Sequence, residues 1–197
     1  MNSLILAMAT FAFVGAVTPG PVNLLATSTA VNHGIRAAAT HVVGASVAYA
    51  VVVFISGSIM QTIVTVLPKL EMVMKFAGSF FLCYLAYKIY TAPISSVEAS
   101  GNARSGLLTG SLTQILNPKA WLVAMSGVSL YVIGQENERL ALIVFTLVSL
   151  LICLLGISVW AMVGRILADY LENSTKQRQF NRVMAGLLGI SVTMIWI

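Results

Sequence analysis

The charges in this chain constrain it most, because of where they are missing. No Asp, Glu, Lys or Arg occurs before Arg36, between Arg36 and Lys69, between Arg139 and Arg165, or after Arg182. A helix needs about 20 apolar residues to cross the hydrocarbon core of a bilayer, so these gaps read as membrane spans. Composition agrees. The chain is 58% hydrophobic and 9% charged, whereas a soluble domain is about 45–50% apolar and about 25% charged. No soluble fold could hide so much apolar surface. Open sheets are excluded, because backbone groups in lipid must be satisfied internally. A barrel would alternate apolar and polar residues, and these runs are apolar all round.

Hydropathy predicts six spans near 4–30, 37–61, 68–91, 107–133, 139–165 and 179–197, in a single transmembrane domain covering 1–197. The first, fourth and fifth are longer than a crossing needs, which implies tilt or a break. The longest polar connection, "TAPISSVEASGNARS", has the Pro, Ser and Gly of a flexible loop. "MNSLILAMATFAFVG" lacks the basic leader of a signal peptide and is read as a span. Alternate loops carry Arg36, Lys88, Arg104, Arg165, Lys176, Arg178 and Arg182 on one side, against Lys69, Lys75 and Arg139 on the other. By the positive-inside rule the first set is cytoplasmic and both termini are outside. The net charge of +5 is therefore an orientation signal and not a nucleic-acid footprint.

Two apolar spans contain turn chemistry. "TPGPVN" (Thr18 to Asn23) breaks the first, and "NPK" (Asn117, Pro118, Lys119) breaks the fourth. A proline inside a helix removes a donor and clashes with the preceding turn, at about 3 kcal/mol. Irregular backbone at that depth is tolerated only where protein buries it or it lines a watery cavity. An ordinary kink is the plain explanation of one such proline. Two breaks at matching places, with Gly78 and Gly186 also recurring in the third and sixth spans, suggest halves of about 1–92 and 104–197. Three spans repeated after an odd number of crossings form an inverted 3+3 repeat, in which interrupted helices point to a transporter site.

Freed amides and carbonyls, with Thr18 and Asn23 beside them, could hold a polar solute. Lys119, deep in an apolar run, could attract a carboxylate or change protonation, or its stem could snorkel to the interface. His41 could relay a proton or simply satisfy a neighbouring helix. No Asp or Glu lies near the centre of a span. Glu71, between Lys69 and Lys75, reads as part of an interfacial cluster. Trp160, Trp196, Tyr87 and Tyr90 read as interface anchors. Small residues in "GASVA", "GLLTG" and "AGLLG" let helices approach closely, and they are compatible with a homodimer. Cys83 and Cys153 have no metal or redox spacing and read as small hydrophobes.

"TPGPVNLL", "NHGIRAAATHVVGAS", "FAGSFFLCYLAYKIY" and "ILNPKAWL" together resemble the LysE/RhtB family of bacterial amino-acid exporters, over nearly the whole chain. Within it the chain looks most like the branch exporting cysteine, O-acetylserine and similar small neutral amino acids. The resemblance implies a secondary transporter in the bacterial inner membrane, without enzymatic activity or cofactor. It would move an amino acid outward across the lipid bilayer, in exchange for protons. Carried over by position, the substrate-binding residues are Thr18, Pro19, Gly20, Pro21, Asn23, Gly44, Asn117, Pro118 and Lys119. To these we add Tyr49, with His41 and Lys119 as candidates for proton coupling. One departure is informative. Many members read Gly-x-x-x-Gly-Asp where this chain has "GASVAY", so Ala48 replaces a glycine and Tyr49 an acid. A cationic substrate in a dry site would need that carboxylate, which argues for a neutral one. Export of homoserine, threonine, leucine or basic amino acids is the nearest alternative.

Three other classes compete. A thiol–disulfide carrier needs two cysteines able to meet beside the breaks, and Cys83 and Cys153 are not so placed. A noncatalytic scaffold leaves the paired breaks unexplained. A channel should line a pore with polar or charged rings, and no such spacing is present.

Overall fold

The structure, a computed structural model, describes the backbone of residues 2–92, 103–171, 173–193 and 195–196, and their side chains apart from residues 2, 61–71 and 103–105. The loop expected at 91–105, the Arg104 side chain and the Lys69–Glu71 part of the interfacial cluster therefore lie largely outside the described residues. Seven helices occur among those described: α1 (Asn2–Val17), α2 (Pro21–Ser58), α3 (Met60–Tyr90), α4 (Ala103–Ile115), α5 (Pro118–Tyr131), α6 (Glu138–Tyr170) and α7 (Ser174–Thr193). The protein is all-helical in these regions. Among the described residues, three stretches are long and apolar enough to cross a membrane alone: Pro21–Ser58, Met72–Tyr90 and Glu138–Tyr170.

Both expected breaks are present. α1 stops at Val17, and α2 starts with Pro21 after an extended Gly20. Proline suits a first helical position, where its missing N–H would have had no partner. α4 stops at Ile115, and α5 restarts at Pro118 behind Asn117, whose Oδ1 accepts from the Lys119 amide at 3.2 Å. At 1.5 Å per residue, α4 and α5 are about 20 Å each, so only together do they match the bilayer. The expected gap between the first two spans is narrower than the sequence implied. Helical hydrogen bonding runs through it, and only Gly34 (φ 81°, ψ 168°) leaves helical geometry. That left-handed φ is open to glycine at little cost. α3, α6 and α7 also overrun their expected ends, reaching back to Met60, on to Tyr170 and back to Ser174. The first half of α7 is polar (Ser174 to Arg182), so α7 does not qualify as a span by composition.

The surface is the apolar part. Leu6, Phe80, Leu155 and Val183 are among many large side chains turned outward, while Asn23, Ser46, Thr113, Gln114, Ser149 and Asn181 are buried. This is the distribution a lipid solvent selects. One apolar core joins α1, α2, α5 and α6 around Phe145, Met8 and Ile157, and a second joins α2, α3 and α7 through Leu25, Leu82 and Leu188.

Small residues determine which helices touch. A Cβ at Gly44 would collide with the Leu107 backbone, and one at Gly110 with the His41 carbonyl, so α4 lies directly on α2. Gly156 lies equally close to Ala16, and Gly164 to the Thr27 carbonyl, which seats α6 on both sides of the first break. The third small-residue stretch is different. Gly186 and Gly189 face open space, whereas Gly78 meets the Leu116 carbonyl, so these glycines are not equivalent between the halves. Basic residues gather at one end. There Asn32 bonds Asn181, Arg182 covers the Tyr90 ring, and Arg36 and Lys88 stand nearby on α2 and α3.

Candidate functional site

The two breaks face each other. A Cβ built on Gly20 would lie 4.0 Å from Lys119 Nζ. Between them is a central cavity lined by Thr18, Gly20, Pro21, Asn23, Tyr49, Asn117 and Lys119 from the expected residues. Each is placed by a local feature. Thr18 closes α1, its amide and hydroxyl both bonded to the Val14 carbonyl. Asn23, buried in the first turn of α2, donates from Nδ2 to the carbonyls of Ala16 and Thr18, both at 2.9 Å. It satisfies two acceptors that the break sets free. Asn117 caps α5 in the corresponding place. Among the described residues no carboxylate pairs with Lys119, and none lines the cavity.

Three expected residues do not line this cavity. Pro19 and Pro118 shape the breaks without facing it, and Gly44 serves the α2–α4 contact. His41 is also elsewhere. It is fully buried, its Nε2 is 3.2 Å from the Val22 carbonyl, and its Nδ1 has no partner.

Sequence reasoning missed Gln114 and Cys153, both buried and both lining the cavity beside Ala120, Val123 and Ile157. Gln114 had a signal: it is a polar residue in an apolar run, one helical turn before Asn117. Cys153 had none, because only the packing of α6 brings it to the breaks. The other thiol, Cys83, is exposed, and both are free. Trp160 corrects another expectation. It is half-buried, its Nε1 donates to the freed Val17 carbonyl at 3.3 Å, and its own carbonyl accepts from Thr27 Oγ1 at 3.0 Å. It braces the first break instead of anchoring the helix in the interface. Trp196 instead donates to Ser79 Oγ and packs edge-on against Phe76.

A wider, mostly apolar groove between α1 and α5 adjoins the central cavity, sharing Gly15, Thr18, Lys119 and Val123 with it. The central cavity is thus open toward the N-terminal half of α1. Such an arrangement can hold a small polar solute against uncharged donors and acceptors, with one cation at its edge.

The LysE type translocator family matches residues 13–196, and the chain belongs to that family. It is similar to the cysteine/O-acetylserine efflux protein of Escherichia coli (strain K12), with 27% identity over 186 residues covering 94% of each chain. It is also similar to the protein of that name from Salmonella typhimurium, 29% identical over 188 residues, covering 94% of this chain and 93% of the relative. No solved structure matches the chain. The protein is accordingly a membrane transporter of an amino-acid export family, and not a member of an enzyme family.

Proposed function

We propose that the protein exports a small neutral amino acid, of the cysteine or O-acetylserine class, from the cytoplasm across the bacterial inner membrane in exchange for protons. The observation that carries this reading is the central cavity. Two broken helices present uncharged polar groups and Lys119 to one space, with no Asp or Glu among its described lining residues. Lys119 would meet the substrate carboxylate, and Asn23, Gln114 and Asn117 would serve its amino and side-chain groups. Tyr49 stands in the lining where a carboxylate would be needed for a lysine or arginine substrate. The names of the relatives point the same way.

Six crossings in an inverted 3+3 arrangement suit this reading. The packing supports it by exchange: α4, before the second break, lies on α2 at Gly44, and α1, before the first, lies on α6 at Gly156. Alternating access would rock one half against the other around the breaks. The gathered basic end would be cytoplasmic, with both termini outside.

The test is efflux from overproducing cells fed dipeptides to load many amino acids at once, with the medium analysed by mass spectrometry. Pro19→Ala and Lys119→Ala, checked for membrane insertion, serve as controls. Selective release of a neutral amino acid, lost in both variants, supports the reading. Better release of arginine than of any neutral amino acid overturns the substrate class. No release from an energised membrane overturns the export function.

A further inference from the structure

The bend at Gly34 turns α2 back on itself. Val22 and His41 would be about 28 Å apart along a straight helix, yet the Val22 carbonyl and His41 Nε2 are 3.2 Å apart. A second cavity is lined by both arms so formed, by the end of α3 and by α4, and it shares no lining residue with the central cavity. Val22 lines the central cavity and His41 the second, so the contact between them separates the two spaces.

The lining of this second cavity changes character with depth. On α3, Phe81 and Leu85 lie toward the middle of the bundle and Lys88 lies at the basic end. On the first arm of α2 the order is the same, with Leu25 innermost and Thr29 and His33 toward the bend. Seven helical residues separate Phe81 from Lys88, about 10 Å, so a cationic mouth overlies an apolar recess of that depth. The cavity also opens sideways. Tyr84 and Leu108 line it from α3 and α4 and are 48% and 60% exposed, so the gap between them faces the bilayer. His33 and Lys88 are exposed as well, and the Lys88 ammonium stands 5.6 Å from the centre of the Tyr84 ring, at that opening. No Asp or Glu is among the described lining residues.

We propose that this cavity seats one anionic phospholipid from the leaflet at the basic end, with its phosphate at Lys88 and His33 and an acyl chain in the recess toward Phe81. The argument is one of matching outlines. A cation at the level of the headgroups, above an apolar slot open to lipid, has the two poles of an amphiphile in the order that a bilayer presents them. A small polar solute would leave the recess without a matching group. Basic pockets between membrane helices take anionic headgroups for the same electrostatic reason, and an ammonium with no acid competing for it favours a net negative headgroup over a zwitterionic one. Seated there, the lipid joins both arms of α2 to α3 and α4 around the Gly34 bend. It is a resident ligand and not cargo, so the site is independent of the transport reading.

The experiment is lipid titration of the purified full chain in detergent, read by native mass spectrometry. Palmitoyl-oleoyl phosphatidylglycerol is compared with the phosphatidylcholine of the same chains. The first phosphatidylglycerol should bind about tenfold more tightly than phosphatidylcholine. Lys88→Gln, at an exposed position that tolerates change, should raise its Kd about fivefold, the effect of one basic residue on an anionic headgroup. Lys176→Gln, also exposed and basic but outside the cavity lining, should change that Kd less than twofold. Neither inorganic phosphate nor glycerol 3-phosphate at millimolar concentration should displace the lipid, since neither fills the recess. Equal binding of the two lipids overturns the site, and so does an equal loss in both variants, which would mean diffuse attraction to the basic end. Displacement by phosphate or glycerol 3-phosphate would show a plain anion site, and displacement by L-cysteine a substrate site, and either overturns the lipid. Each of these failures leaves the transporter reading intact, because that reading is tested by efflux.

Discussion

Asn23 and Asn117 hold the ends of the two breaks, but by different bonds. Asn117 caps a helix in the ordinary way, so Asn117→Ala should cost about 1 kcal/mol of stability and reduce export by disturbing the cavity wall. Asn23 bridges two carbonyls of the preceding segment. Its loss leaves two part-buried carbonyls without that donor, each at up to about 1–3 kcal/mol, the cost of a fully buried acceptor, so Asn23→Ala should destabilise more than Asn117→Ala. Unfolding of the purified variants in detergent, read by circular dichroism, gives the order. An equal loss would mean that water replaces the Asn23 amide. Both asparagines were legible because a polar amide inside an apolar run is costly unless it has a task. Trp160 was misread for the opposite reason: an indole is at home in an interface and equally able to donate to a stray carbonyl.

At the scale of the helix, glycine has three roles in this chain, and the sequence does not distinguish them. Gly34 carries a positive φ at the bend in α2, so Gly34→Ala forces a strained conformation worth about 1–3 kcal/mol. Gly44 has ordinary helical geometry but no room, since a side chain there meets backbone and not a flexible neighbour. Gly44→Ala should therefore separate α4 from α2, cost about 1–3 kcal/mol by overpacking, and impair transport. Gly186 faces open space. Gly186→Ala should be neutral or stabilise α7 by up to about 1 kcal/mol through helix propensity. The same detergent unfolding measurement ranks all three. If Gly186→Ala proved as harmful as Gly44→Ala, α7 would have an unseen partner on that face.

For the molecule as a whole, the decisive properties are substrate charge and direction. Tyr49→Asp places a carboxylate in the wall of the central cavity. Competition among amino acids in the efflux assay should then shift toward lysine and arginine, at the expense of neutral substrates. No shift would show that Tyr49 is not beside the substrate. Direction follows from the basic end. An impermeant thiol reagent should label Arg139→Cys in intact cells and Lys176→Cys only in inside-out vesicles, both in a Cys83→Ala background because that thiol is exposed. The reverse pattern would invert the topology.

The apolar runs, the two breaks and the basic asymmetry were determined by the sequence alone. Each rests on a local cost that no partner can remove: a charge in hydrocarbon, a missing amide at proline, a lysine on the wrong side. What meets at the breaks was decided only in three dimensions. Gln114, Cys153 and Trp160 reach them, Gly44 and Gly186 differ in what they face, and His41 stands between two cavities instead of inside one. These depend on which helix faces pack together, and in a lipid solvent all apolar faces look alike until close packing and buried hydrogen bonds choose among them.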